Sequence, residues 1–269
     1  MPELPEMEHY KMLLNEKIAG KPVTDIQINR EKSINVNPEL FTNTVKNQRI
    51  MQINRRGKHL LFELQNGQTL LLHLMLGGFM FFGKETEKPK RTIQVRLSFG
   101  DHHLYFIGLR LGYLHLLSTN EVKERLEHLG PEPLQADFIE NEFLKLLNKK
   151  HGRLKTTFID QDFIAGIGNC YSAEICYHAK IFPTKDIDDL NEGYRRTLYH
   201  SMKVVLQEGI QFGGYMESPL FRGDQKTGNY RERCQVYDRE GELCNRCGAT
   251  IVMEEVSSRK TYFCPNCQQ

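Results

Sequence analysis

Met7, Tyr10, Leu13, Leu14 and Ile18 recur at three- and four-residue intervals, so the chain opens with a helix. Pro5 suits its first turn, and Glu6 and Glu8 stand where the helix dipole favours anions. From about residue 20 to 120 the period shortens. Runs such as "LLFEL", "QTLLLHLML", "IQVRLSF" and "LYFIGL", broken by "QNGQ" and "FGDHH", predict antiparallel strands of a sandwich. The two prolines of "LGPEPL" (129–134) mark a hinge between domains. Helical periodicity returns in "NEFLKLLNKKHGRLKTTFID" and "NEGYRRTLYHSMKVVLQEGI". Between them, "FIAGIGN" predicts a tight turn before a helix that starts near Tyr171. Such a turn offers backbone N–H groups to a phosphate, or is an ordinary helix connection. The polar, glycine-rich stretch from Phe212 to Tyr230 is expected to be a mobile loop. The pattern as a whole is α+β and multi-domain.

Charge narrows the picture little. Lys plus Arg number 36 against 34 Asp plus Glu, so a polyanionic partner must be argued from local clusters such as "KKHGRLK". No apolar run approaches the ~18 residues that span a bilayer, and the N-terminus lacks the basic-then-apolar pattern of a signal peptide. A cytoplasmic protein is expected, in which the seven cysteines point to metal instead of disulfides. Cys244-x-x-Cys247, sixteen intervening residues and Cys264-x-x-Cys267 have the spacing of a four-thiolate zinc ribbon. With all four ligand positions filled by sulfur, that zinc would be structural. Cys170, Cys176 and Cys234 lack such partners and are expected to be buried apolar residues.

The opening hexapeptide "MPELPE" admits two readings. In one, the prolines hold a terminus extended until Pro5 starts the helix. In the other, loss of Met1 leaves the secondary amine of Pro2 beside the Glu3 carboxyl. An α-amine has a pKa near 8 against about 10.4 for a lysine side chain, so about a tenth of it is neutral at pH 7. It is a usable nucleophile without deep burial.

"MPELPE", "RRGKHL" (55–60), "LGPEPL", "DQDFIAGIGNCYSAEI" (160–175) and "RKTYFCPNCQ", taken together and in this order, resemble the formamidopyrimidine-DNA glycosylase and endonuclease VIII family. The resemblance implies an N-terminal β-sandwich (1–120), a helix-two-turn-helix domain (131–222) and a zinc finger (223–269), with damaged or abasic double-stranded DNA gripped between the halves by a monomer. It also implies base-excision repair chemistry. Pro2 attacks C1′ and expels the base, Glu3 handles the proton, and the iminium ion drives strand cleavage by β- or β,δ-elimination. Lys58 takes the place of the family's catalytic lysine and Arg259 that of its zinc-finger arginine. Asn169 and Lys155 match further contacts to the DNA backbone. Phosphate contacts of this kind set affinity and register without reading sequence.

The match breaks where the family fills the gap left by an extruded base. "HLMLGG" (73–78) carries Leu76 in place of a methionine. "IGLRLG" (107–112) carries Leu109 for the arginine that reads the opposite base and Leu111 for a phenylalanine, while Arg110 persists. Two leucines with the neighbouring Tyr113 could still wedge into the duplex, but they offer no bidentate donor to an orphaned cytosine. The residues are compatible with 8-oxoguanine, ring-opened purines, oxidised pyrimidines and bulkier adducts. The rival reading is a zinc protein that binds damaged DNA without cutting it.

Overall fold

A computed structural model describes residues 1–269, which form two compact units. The first comprises Met1–Glu127 with Phe212–Asn229, the second His128–Gln211 with Tyr230–Gln269.

In the first unit, α1 (Leu4–Ile18) starts at the N-cap Glu3 with Pro5 in its first turn. Leu4, Met7, Tyr10, Leu14 and Ile18 form its buried stripe. Two four-stranded antiparallel sheets follow. One has the order β1 (Asp25–Ile28), β6 (Ile93–Phe99), β7 (His102–Ile107), β5 (Phe79–Lys84). The other runs β2 (Ile50–Arg56), β3 (His59–Leu64), β4 (Thr69–His73), β8 (Tyr113–Leu117). Alternate residues of both sheets, among them Ile53, Leu60, Phe62, Leu72, Val95 and Phe106, enclose one apolar core with Phe41 and Val45 of α2 (Pro38–Val45). β4 departs from alternation and is buried on both faces, because it is central in its sheet and α3 (Thr119–Leu126) packs over it. The turns fall where the glycines foretell, with left-handed backbone at Gly57, Gly67 and Gly100.

Segment 212–229 groups with the first unit and is not the mobile loop its composition predicts. Instead the Tyr10 hydroxyl donates to Ser218 O at 2.8 Å, His9 Nε2 meets Thr227 Oγ1 at 3.0 Å, and Leu220 is buried in the sandwich core. These bonds fasten the segment to α1 as a strap.

The second unit packs α6 (Asn169–Ala179) against α7 (Glu192–Gln211), with α4 (Glu140–Leu147) and α5 (Leu154–Ile159) beside them. α6 begins two residues before the expected Tyr171, with Gly168 as its N-cap. The finger hairpin β9 (Val252–Val256) and β10 (Arg259–Phe263) packs within this unit. The reason is a shared apolar cluster, in which Ala173 and Tyr177 of α6 join Val236, Ile251, Tyr262 and two of the cysteines. Glu174, buried in α6, accepts the N–H groups of Gln235, Val236 and Tyr237 at 2.8–3.0 Å and so fixes the approach to the finger. Cys170, Cys176 and Cys234 are buried as expected. No helix is long and apolar enough to cross a membrane.

Candidate active site and zinc centre

Pro2 and Glu3 are buried at the head of α1. The Glu6 carboxylate holds this end from both sides. Its Oε2 accepts the Glu3 N–H and its Oε1 the Tyr215 N–H, each at 2.7 Å. The close approach requires glycine at 214, where φ is +77° and a Cβ would overlap the Glu6 carboxylate. Two residues further along the same helix, Glu8 pairs with Lys11 and accepts from Arg55 Nε at 2.7 Å. Burial alone would raise the Glu8 carboxyl, but the hydrogen bonds from Lys11 and Arg55 outweigh it and hold the group below the ordinary range. Arg55 also donates to Gly57 O at 3.1 Å, so one guanidinium ties α1 to the β2–β3 turn that carries Lys58.

Lys58 is buried on that turn. Nearby His73 is pushed down to about 4, chiefly by burial and then by the Lys58 ammonium, and is therefore neutral at pH 7. The His73 ring lies 4.4 Å from that of His59 and stacks at 5.9 Å on that of Tyr113, whose hydroxyl is 3.0 Å from His59 Nε2. Arg55 and this ring cluster were not singled out from the sequence. Arg55 lies within the "RRGK" stretch, but its role depends on a helix 47 residues earlier in the chain.

The two loops that differ from the family pattern expose one leucine each, Leu76 at 60% and Leu111 at 63%. Leu109 is different. It is fully buried in the sandwich core, while its carbonyl and that of Arg110 accept hydrogen bonds from Arg30. Tyr113 is likewise held in the ring cluster, which corrects its expected part in a wedge. The Arg110 side chain is exposed.

In the second unit, Gln161 shapes the turn before α6 by donating to Ile159 O and Ile167 O while accepting from Gly166 N. Asn169, the first helical residue, donates through Nδ2 to Lys260 O at 2.9 Å, one residue from exposed Arg259. Lys155 corrects an expectation. It is fully buried, and its Nζ donates to Asn169 O at 2.9 Å and Ser172 Oγ at 2.8 Å. It supports the start of α6 from within and does not present charge to a phosphate.

Cys244, Cys247, Cys264 and Cys267 place their Sγ atoms within 4.8 Å of one another, with Cys244–Cys267 at 3.8 Å and Cys247–Cys264 at 3.6 Å. A tetrahedron with metal–sulfur bonds of about 2.3 Å has edges of about 3.8 Å. The donor set fits a structural zinc ion.

A buried proline–glutamate terminus beside a braced lysine turn on one unit, and a zinc finger bound to a helix N-terminus on the other, define a DNA-repair glycosylase architecture. Comparison with known proteins agrees over the whole chain. Residues 1–113 match the formamidopyrimidine-DNA glycosylase N-terminal domain, 129–218 its H2TH domain, and 241–269 the zinc finger found in FPG and IleRS. The formamidopyrimidine-DNA glycosylase of Pelotomaculum thermopropionicum is 35% identical, over 100% of this chain and 99% of its own. That of Listeria monocytogenes is 32% identical over the full length of both. A Lactococcus lactis FPG mutant in complex with a Fapy-dG containing DNA superposes with a TM-score of 0.92 at 32% identity, covering 100% of both chains. The same enzyme in complex with an abasic site containing DNA gives 0.92 at 99% coverage of each chain. The chain belongs to the formamidopyrimidine-DNA glycosylase family.

Proposed function

We propose that this protein is a bifunctional DNA glycosylase and abasic-site lyase of base-excision repair, acting as a cytoplasmic, nucleoid-associated monomer on double-stranded DNA. The observation that carries the reading is the head of α1, where Pro2 and Glu3 are adjacent, buried and fixed by Glu6. Removal of Met1 frees the Pro2 nitrogen, which attacks C1′ and expels the base. Glu3 delivers the proton to the opening sugar, and Lys58 contacts phosphate and assists proton transfer. The resulting iminium ion acidifies C2′ and drives elimination of the 3′ phosphate. On the second unit Arg259 and Asn169 grip the backbone, with Arg259 aiding further elimination and Lys155 serving as their support. Leu76 and Leu111 enter the gap left by the extruded base, with Arg110 beside them, an apolar filling that offsets part of the unstacking cost of a few kcal/mol.

Borohydride trapping on abasic-site DNA tests the reading. A covalent adduct is expected whose mass maps to a peptide beginning at Pro2, and it should vanish in Pro2→Gly. A wild-type protein that binds such DNA but forms no adduct would leave the non-catalytic rival in its place.

A further inference from the structure

The Tyr215 hydroxyl donates to the carbonyl oxygen of Met1 at 3.1 Å. That carbonyl is the one bonded to the Pro2 nitrogen. In a peptide unit the oxygen and the nitrogen on one carbonyl carbon are about 2.2 Å apart, so the hydroxyl lies within about 5.3 Å of the Pro2 nitrogen. Loss of Met1 removes this acceptor and frees the secondary amine of Pro2 within that distance. Resting on the proposed function above, we infer that Tyr215 is a further catalytic residue, whose hydroxyl relays the proton that Pro2 must lose as it bonds to the sugar.

Three features support a built arrangement instead of a chance contact. The Tyr215 side chain is only 9% exposed. Its backbone N–H is held at 2.7 Å by Glu6, the residue that also holds the Glu3 N–H, so the backbone carrying the hydroxyl and the backbone next to the amine are anchored on one carboxylate. Gly213 and Gly214, both left-handed at φ +72° and +77°, turn the chain sharply just before it. A tyrosine hydroxyl both donates and accepts, as a relay requires.

The chemistry supplies a reason for such a relay. A secondary amine carries one hydrogen, which must leave before an iminium ion can form. With an open-chain abasic aldehyde, the Pro2 lone pair bonds to C1′ and the C1′–O π pair moves to oxygen. That oxygen takes the hydroxyl proton of Tyr215 while the Tyr215 oxygen takes the proton from nitrogen. The product is a carbinolamine and an unchanged tyrosine. Glu3 then protonates the carbinolamine hydroxyl, the C1′–O bond breaks, and water departs to leave the iminium ion.

The test is single-turnover trapping on abasic-site DNA, with wild type and Tyr215→Phe compared across pH. Removing a positioned proton carrier costs about 10²–10⁴-fold in general acid–base catalysis, so Tyr215→Phe should trap at least tenfold more slowly. Imidazole added as a mobile proton carrier should restore part of that rate and leave wild type unaffected. Binding to DNA with a tetrahydrofuran site, which cannot react, should stay within about twofold. A Tyr215→Phe rate equal to wild type, or a loss that imidazole does not touch, overturns the inference while wild-type trapping leaves the glycosylase reading standing. Failure of wild type to trap at all would sink that reading first. Should Tyr215→Phe not fold, 3-fluorotyrosine at position 215 keeps the shape and lowers the phenol pKa. A shifted pH–rate profile then supports the relay, and an unchanged one overturns it.

Discussion

Leu109 shows how much one side chain's direction decides. Its place in the sequence aligns it with a base-reading arginine, yet it is fully buried in the sandwich core while Leu111, two residues on, is 63% exposed. What remains at the surface is apolar apart from Arg110, and leucine has no group that tells cytosine from the other three bases. A bidentate contact to a base is worth about 1–3 kcal/mol of discrimination, and its absence should be visible as weak selection. Excision of one lesion placed opposite C, A, G and T in turn is therefore expected to differ by less than about fivefold. A strong preference for cytosine would contradict this. Leu111→Ala should slow excision of a paired lesion more than cleavage of a preformed abasic site, since only the former needs the base expelled.

The strap of residues 212–229 is the element that sequence pattern read least well. Its composition of glycine and polar residues is that of a solvated loop, and the bonds that fasten it join residues some 210 positions apart, such as Tyr10 and Ser218. Periodicity carries no trace of such pairings. The helices and strands were legible because their apolar positions recur at fixed intervals, and the zinc site because its four ligands are marked by spacing alone. The opening hexapeptide by itself raised the pairing of the Pro2 amine with Glu3, the family resemblance was needed to favour it and to single out Lys58, and the buried state of Lys155 was not legible at all. A lysine in "KKHGRLK" reads as surface until the α6 carbonyl and hydroxyl that accept its protons are in place. Gly214→Ala tests the strap directly. A left-handed residue with a Cβ costs about 1–2 kcal/mol, and the buried Glu6 carboxylate must also shift, so unfolding free energy should fall by about 1–3 kcal/mol in urea. Borohydride trapping should weaken in the same variant, because Glu6 fixes Glu3.

At the level of the molecule, the zinc ion supports more than its own hairpin. Cys244 and Cys264 share an apolar cluster with Ala173 and Tyr177 of α6, and Asn169 at the head of that helix bonds to Lys260 of the finger. Blocking the thiolates with a mercurial, with zinc followed by a colorimetric indicator, should release one ion per chain. DNA affinity should fall at least tenfold as Arg259 and Asn169 lose their common support. Undiminished binding after full release would show that the finger is dispensable.

The strap also bears on how this polypeptide can be dissected. The first unit is assembled from two stretches separated by 84 residues of the second. A fragment ending at Glu127 would be synthesised without Gly214, Tyr215 or Leu220, leaving the Glu6 carboxylate short of one donor and the sandwich short of a core leucine. During synthesis, too, residues 212–229 must emerge before Glu6 can gain its second backbone donor, so the head of α1 stays incompletely braced until most of the chain has been made.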